Sequence, residues 1–193
     1  MNPKITSLLR ATAVVAALGA GAAVAVPSFA AEMTVEVGGA PMYPSKNIIE
    51  NAVNSKDHTT LVAAVKAAGL VETLSGPGPF TVFAPVNAAF EALPAGTVDT
   101  LLKPENKAKL VAVLTYHVIP AKLSAADIDA AIKKGNGKAM WKTVNGGELT
   151  FSEKDGKIWV WDGMGGSAEV TIADVNQSNG VIHVIDKVLL PKM

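Results

Sequence analysis

The spacing of apolar residues changes near Lys138, and this change constrains the fold more than any other feature of the chain. Before it, apolar side chains recur every three to four residues in short helical stretches; after it, they alternate. Asn47 is placed to cap NIIENAV. Asp57 is placed to cap HTTLVAAVKAAG, where Leu61, Val62, Val65 and Ala68 share a face and Gly69 stops the helix. LVETL is a short helical piece ended by Gly76 to Pro79. FTVFAPV (Phe80 to Val86) reads as a strand, Asn87 as the N-cap of AAFEAL, and GTVDTLL as another short helix. Pro104 opens PENKAKLVAVLTYH, whose stripe is Leu110, Val113 and Leu114. VIPAKL suits an edge strand, because Pro120 has no N–H to donate. Ser124 caps AADIDAAIKKG, which carries two lysines in its last turn. Beyond Lys138, MWKTV, ELTFSE, KIWVWD and EVTIADV are strand patterns joined by Asn145-Gly146-Gly147, Asp155-Gly156 and Gly163 to Ser167. NGVIHVIDKVLLP is apolar on both faces and so reads as a central, buried strand. Helices followed by a meander predict one α+β domain rather than βαβ alternation.

The N-terminus reads as an export signal. Lys4 and Arg10 precede an apolar Ala/Gly-rich run from Ala11 to Val26, and Ser28-Phe29-Ala30 provides a small-x-small site for cleavage after Ala30. The organisation expected is a signal peptide over residues 1–30, a loosely docked extended arm over 31–46, and one domain over 47–191. The run is too short for a membrane span, so no anchor is expected after cleavage, and the protein is expected to be secreted or periplasmic. Removing Lys4 and Arg10 from the 17 basic residues leaves 15 lysines against 17 acidic side chains, a net charge of −2 with no arginine. Near-neutral charge without arginine argues against a nucleic-acid partner. The chain has no cysteine, which excludes disulfides, thiolate catalysis and iron–sulfur or cysteine–zinc sites, so the core alone must hold the domain.

Three segments, in order, resemble the fasciclin (FAS1) family: GPFTVFAPVNAAFEALP (Gly78 to Pro94), TYHVIP (Thr115 to Pro120) and NGVIHVIDKVLLP (Asn179 to Pro191). The resemblance spans roughly Asn47 to Pro191 and is closest to the small, secreted, single-domain bacterial form. One departure is Val86, where the family more often carries a small hydroxyl residue before the Asn. The resemblance implies a fasciclin-like wedge-shaped β-sandwich with a cluster of short α-helices, and a non-catalytic role in extracellular adhesion. In animal members an Asp-Ile pair and the Tyr-His segment have been proposed as integrin contacts. The matching positions, Asp127-Ile128 and Tyr116-His117, become the partner-binding candidates. Only the surface would be reused in a bacterial chain, toward a cell-envelope protein or glycan, with the protein as a monomer.

His183, among apolar neighbours, is expected to be a neutral, hydrogen-bonded core histidine. Tyr116 is expected in the core and His117 capping the last carbonyls of its helix, unless the pair forms an exposed patch. His58 is expected at the solvated surface. The three scattered histidines lack metal-ligand spacing, and the dispersed methionines, Met33 and Met42 included, give no copper relay. No cofactor is expected: Gly163 to Ala168 fits G-x-G-x-x-A, but a strand follows it where a dinucleotide site needs a helix. Asp127 and Asp129 diverge on their helix and are expected to be solvated. Trp159 and Trp161 share a strand face, with Phe151 placed on that same face and Trp141 nearby. Those aromatics are either sandwich core or, if the face is open, a platform for a glycan or apolar ligand. The alternative to adhesion is a small-ligand carrier, which requires an apolar cavity of several hundred Å³ between helices and sheet.

Overall fold

The computed structural model describes residues 34–192, so the expected signal peptide and Met33 lie outside the described residues. The arm is not loosely docked. It forms a hairpin of β1 (Val35–Val37) and β2 (Ala40–Met42), turning at Gly38 and Gly39 with φ of 59° and 72°. Alternation turns Val37 and Met42 into the core. The buried Asn51 side chain fastens the segment that follows: it accepts from the Tyr43 N–H (3.0 Å), donates to the Tyr43 carbonyl (2.8 Å) and donates to Gln177 Oε1.

Short helices come next: α1 (Ile48–Ala52), α2 (Thr59–Ala68), α3 (Val71–Ser75), α4 (Asn87–Glu91), α5 (Thr97–Leu102), α6 (Lys107–Tyr116) and α7 (Ala125–Lys134). Asn47 and Ser124 cap α1 and α7 as their sequences predict, each in a reciprocal capping box, with Glu50 and Asp127 respectively. Gly69, at φ 75°, ends α2. Two predicted caps differ. Asp57 lies in a 3-10 turn, Lys56–His58, and α2 has no cap from its own flank. Asn87 supplies it from across the fold, accepting from the Thr60 N–H (3.0 Å) and Thr59 hydroxyl (3.2 Å) and donating to the Lys56 carbonyl (2.8 Å). The N-cap of α4 therefore falls on Val86, which has no side-chain acceptor.

The strands are β3 (Phe80–Pro85), β4 (Val118–Ile119), β5 (Ala139–Lys142), β6 (Glu148–Lys154), β7 (Lys157–Trp161), β8 (Ser167–Gln177) and β9 (Gly180–Ile185). They form one mixed sheet in the order β4-β3-β9-β8-β7-β6-β5, in which only β3 and β9 run parallel. β4 is an edge strand, as Pro120 predicts. Register shifts along β8 between Val170 and Val175 mark bulges that bend the strand, and its two halves pair with β7 and β9. The bent sheet nearly closes: beyond β5, the Val144 N–H donates to the Val118 carbonyl of β4 (2.8 Å). The sandwich with short helices is thus built from the two halves of one sheet.

β9 lies between two cores, which explains why it is apolar on both faces. On one side Val82, Ala84, Ile182 and Val184 pack against the helices. On the other, Phe83 and Ile185 meet Leu149, Phe151 and Val160 of the meander, with Ile128 and Ile132 of α7 inserted beside them. The close β3–β9 approach leaves no room for a side chain at Gly180, where a Cβ would sit 2.0 Å from the Phe80 carbonyl oxygen.

Candidate functional site

Of the four partner-binding candidates, Tyr116, His117 and Ile128 are buried, so the alternative of an exposed Tyr-His patch is not what the fold presents. Tyr116 ends α6 with its ring in the meander-side core. Its hydroxyl donates to the Glu148 carbonyl (2.7 Å) and accepts from the Gly163 N–H (2.8 Å), tying α6 to the loops flanking β6 and β7. Burial pushes its pKa up. His117 donates from Nδ1 to the Val113 carbonyl (2.8 Å), capping α6, and accepts at Nε2 from the Leu189 N–H (3.0 Å). Desolvation lowers its pKa to about 4, so the ring is neutral. Ile128 is buried because the α7 stripe it shares with Ile132 faces the sheet. Asp127 is exposed, and its carboxylate is used in the capping box, accepting from the Ser124 N–H (2.9 Å) and hydroxyl (2.7 Å), which lowers its pKa. The four residues therefore form no continuous apolar surface. Asp129, two residues on, pairs with Lys133 at the surface.

His183 is the neutral core histidine that its neighbours predict. Nε2 donates to the Leu123 carbonyl (2.9 Å), Nδ1 accepts from the Asp174 N–H (3.3 Å), and the ring stacks on Phe83 at 5.5 Å between centroids. Asp174, held at φ 57° within the β8 bulge, also accepts the Ala125 N–H (2.7 Å), so the histidine helps set the start of α7. Burial lowers its pKa. His58 corrects the surface expectation. The 3-10 turn before α2 points its ring inward, where Nδ1 accepts from the Ser55 hydroxyl (2.9 Å) and Nε2 donates to the Ala84 carbonyl (3.4 Å). Its pKa is lowered by burial too. All three imidazoles thus use both ring nitrogens within the fold. The G-x-G-x-x-A stretch is a hairpin loop leading into β8, in which Asp162 Oδ1 accepts the Met164 and Gly166 N–H groups.

The tryptophans divide. Trp141 lies opposite Leu149 and meets Phe151 edge-on at 5.0 Å, on the core side. Trp159 and Trp161 lie on the other face of the meander, which is open: Trp161 is 42% exposed. Phe151 does not share their face, because its partner is Val160 while Trp159 lies opposite Ser152. The sequence carried the signal for this. A two-residue Asp155-Gly156 turn sets Lys154 opposite Lys157, and counting back puts Phe151 opposite Val160.

Between helices and sheet, the voids among the described residues are apolar and hold about 20–30 Å³ each, room for a water or two and far short of what a carrier needs. Two open surface clefts of about 250 and 300 Å³ hold one ionisable residue apiece, Glu91 and Lys122. No helix among the described residues is long and apolar enough to cross a membrane.

These features define a class: a small helix-capped β module whose buried polar groups serve its own packing and whose distinctive chemistry lies on its surface. The chain belongs to the fasciclin family, the family model for the Fasciclin domain matching residues 56–191. It is 52% identical over 162 residues to Protein sll1483 of Synechocystis sp., covering 84% of this chain and 83% of that protein. It is 36% identical over 147 residues to the cell surface glycolipoprotein MPB83 of Mycobacterium bovis, covering 72% of this chain and 58% of the relative. A solved FAS1 domain pair from the insect cell adhesion molecule Fasciclin I matches with a TM-score of 0.54 at 28% identity, over 67% of this chain and 43% of that one.

Proposed function

We propose that this protein is an exported, non-catalytic module for adhesion or matrix interaction at the cell surface or in the envelope, released by cleavage after Ala30 and acting as a monomer through its surface. The observation that carries the reading is the use of every histidine and of Tyr116 in structural hydrogen bonds within a fasciclin domain, which leaves recognition to exposed groups. Its likeness to a cell adhesion molecule and to a cell surface glycolipoprotein supports the same role and location. Of the four candidates carried by the resemblance, Asp127 is exposed and can meet a partner directly, while Tyr116, His117 and Ile128 hold the fold together.

Beads coated with the mature protein test this. They are expected to adhere to cells or envelope fragments of the producing organism well above beads carrying an unrelated domain, and crosslinking in the native envelope followed by mass spectrometry identifies what is held. Adhesion no higher than the control would overturn the proposal.

A further inference from the structure

Among the described residues, the outer face of the meander is the open surface on which large apolar side chains gather. Across four strands, Met140 lies opposite Thr150, Thr150 opposite Trp161, and Trp161 opposite Ser167. In the neighbouring row, Ser152 lies opposite Trp159 and Trp159 opposite Glu169. Met140 is 64% exposed, and Met164, in the turn after β7, equally so.

The indole of Trp161 is held in place. Its Nε1 donates to Ser152 Oγ at 2.8 Å, on the adjacent strand and diagonal in register, which draws the indole across the sheet toward β6 while leaving it 42% exposed. Trp159 follows on the same face, about 6.8 Å away along the strand by ordinary strand geometry. Its Nε1 is shut from solvent without a partner, the one buried side-chain polar atom among the described residues left so. This is an unmet donor beside an open surface. Thr150 and Ser152 on β6 and Ser167 on β8 flank the indoles from the neighbouring strands, and Lys157 bonds Glu169 at the rim.

We propose that this face binds a glycan, the indoles stacking on the C–H faces of pyranose rings; this rests on the adhesion reading and names its surface and ligand. The chemistry selects the occupant. A pyranose has a flat C–H face suited to an indole and a rim of hydroxyls suited to Ser, Thr and carboxylate, and this surface interleaves those two kinds of group. A stable protein interface needs about 800 Å² per partner around a dry apolar centre, which two indoles and a methionine divided by polar side chains do not supply. Lys142, Lys154 and Lys157 share the face with Glu148 and Glu169, a balance close to neutral that suits an uncharged sugar.

The test titrates the mature protein with soluble hexasaccharides of β-1,4-linked glucose and of β-1,4-linked N-acetylglucosamine, and sediments it with peptidoglycan. The readouts are calorimetry and tryptophan fluorescence, and the sugar giving the tighter binding identifies the source. At least one probe is expected to bind and to change the fluorescence. Trp161→Ala is expected to weaken binding tenfold or more, and Trp161→Tyr, which keeps an aromatic face, to restore most of it. Equal melting temperatures for wild type and variants establish that the fold is intact, and Trp159→Phe serves as a second variant should Trp161→Ala unfold. Failure of all probes to bind, or unchanged binding in both Trp161→Ala and Trp159→Phe, would overturn the glycan site. Bead adhesion that persists in that case leaves the adhesion reading standing. Bead adhesion lost in Trp161→Ala without any saccharide binding would assign the surface to a protein partner and overturn the glycan.

Discussion

At the scale of single residues, what marks a functional site in a sequence here marks satisfied packing. His183, His117 and Tyr116 each sit between a donor and an acceptor supplied by another part of the chain, so each joins elements far apart in sequence. Removing one leaves buried backbone groups without partners, at roughly 1–3 kcal/mol per group left unpaired. His183→Ala is therefore expected to lower the melting temperature by several degrees, at about 2–4 °C per kcal/mol for a domain of this size. Bead adhesion of the folded variant should be unchanged; adhesion lost at unaltered stability would make His183 a contact residue. Tyr116→Phe keeps the ring in its core and removes the hydroxyl that links the Glu148 carbonyl and the Gly163 N–H. Its expected cost is about 1–2 kcal/mol in urea denaturation, with the loss of amide-exchange protection concentrated at Gly163. Uniform loss across the domain would show that the bridge is not local.

At the scale of elements, legibility followed how local each determinant is. The capping boxes of α1 and α7, the glycine stop of α2 and the two-sided apolar run of β9 are written within a few residues, and each was readable. The cap of α2 comes from Asn87, 27 residues beyond Thr60, and no local pattern encodes that. The inward turn of His58 depends on β3 lying beside it, and the seating of the β1–β2 hairpin on Asn51 and Gln177, so neither the first-turn position of His58 nor the Gly-Gly and prolines of the arm reveal them. The Trp159–Trp161 face was read only in part: its openness needs the whole sheet, whereas its parity relative to Phe151 follows from one two-residue turn. Tyr116 and His117 lie in the core and at the helix end as their own segment predicts, and Ile128 joins them because it belongs to the buried stripe of an amphipathic helix. The missing cap of α4 gives an element-scale prediction. Val86 has the extended backbone of an N-cap, at φ −71° and ψ 164°, but no acceptor for the first amides of the helix. Val86→Thr keeps the branched shape and adds one, so it should raise stability by about 0.5–1 kcal/mol, read as a higher urea midpoint at unchanged m-value. A lower midpoint would mean that burying the hydroxyl outweighs the cap.

At the scale of the molecule, one consequence depends on all three histidines together. The fold holds each imidazole neutral, with its pKa below the ordinary 6.5 because burial penalises the cation. An unfolded chain takes up protons near pH 6.5, while the folded chain resists until lower pH, so acid favours unfolding. Stability from these groups is therefore complete above pH 6.5 and declines as pH falls toward the folded-state values. His117, at about 4 in the fold against 6.5 unfolded, withdraws on the order of 3 kcal/mol by pH 4 and only a small remainder below it. His58 and His183 act in the same direction. Without a cysteine in the chain, no disulfide offsets the loss, and a domain with the usual margin of about 5–15 kcal/mol gives up a large part of it. Urea denaturation followed between pH 7.5 and 4 should show a falling midpoint, with the steepest decline below pH 6.5, and unfolding at pH 5 should take up close to one proton at His117 alone. His117→Asn, which removes the titrating ring, is expected to be less stable at pH 7.5 yet to lose less on acidification. A midpoint that is flat from pH 6.5 to 4, or a pH dependence identical in that variant, would show that the imidazole of His117 does not couple proton uptake to unfolding.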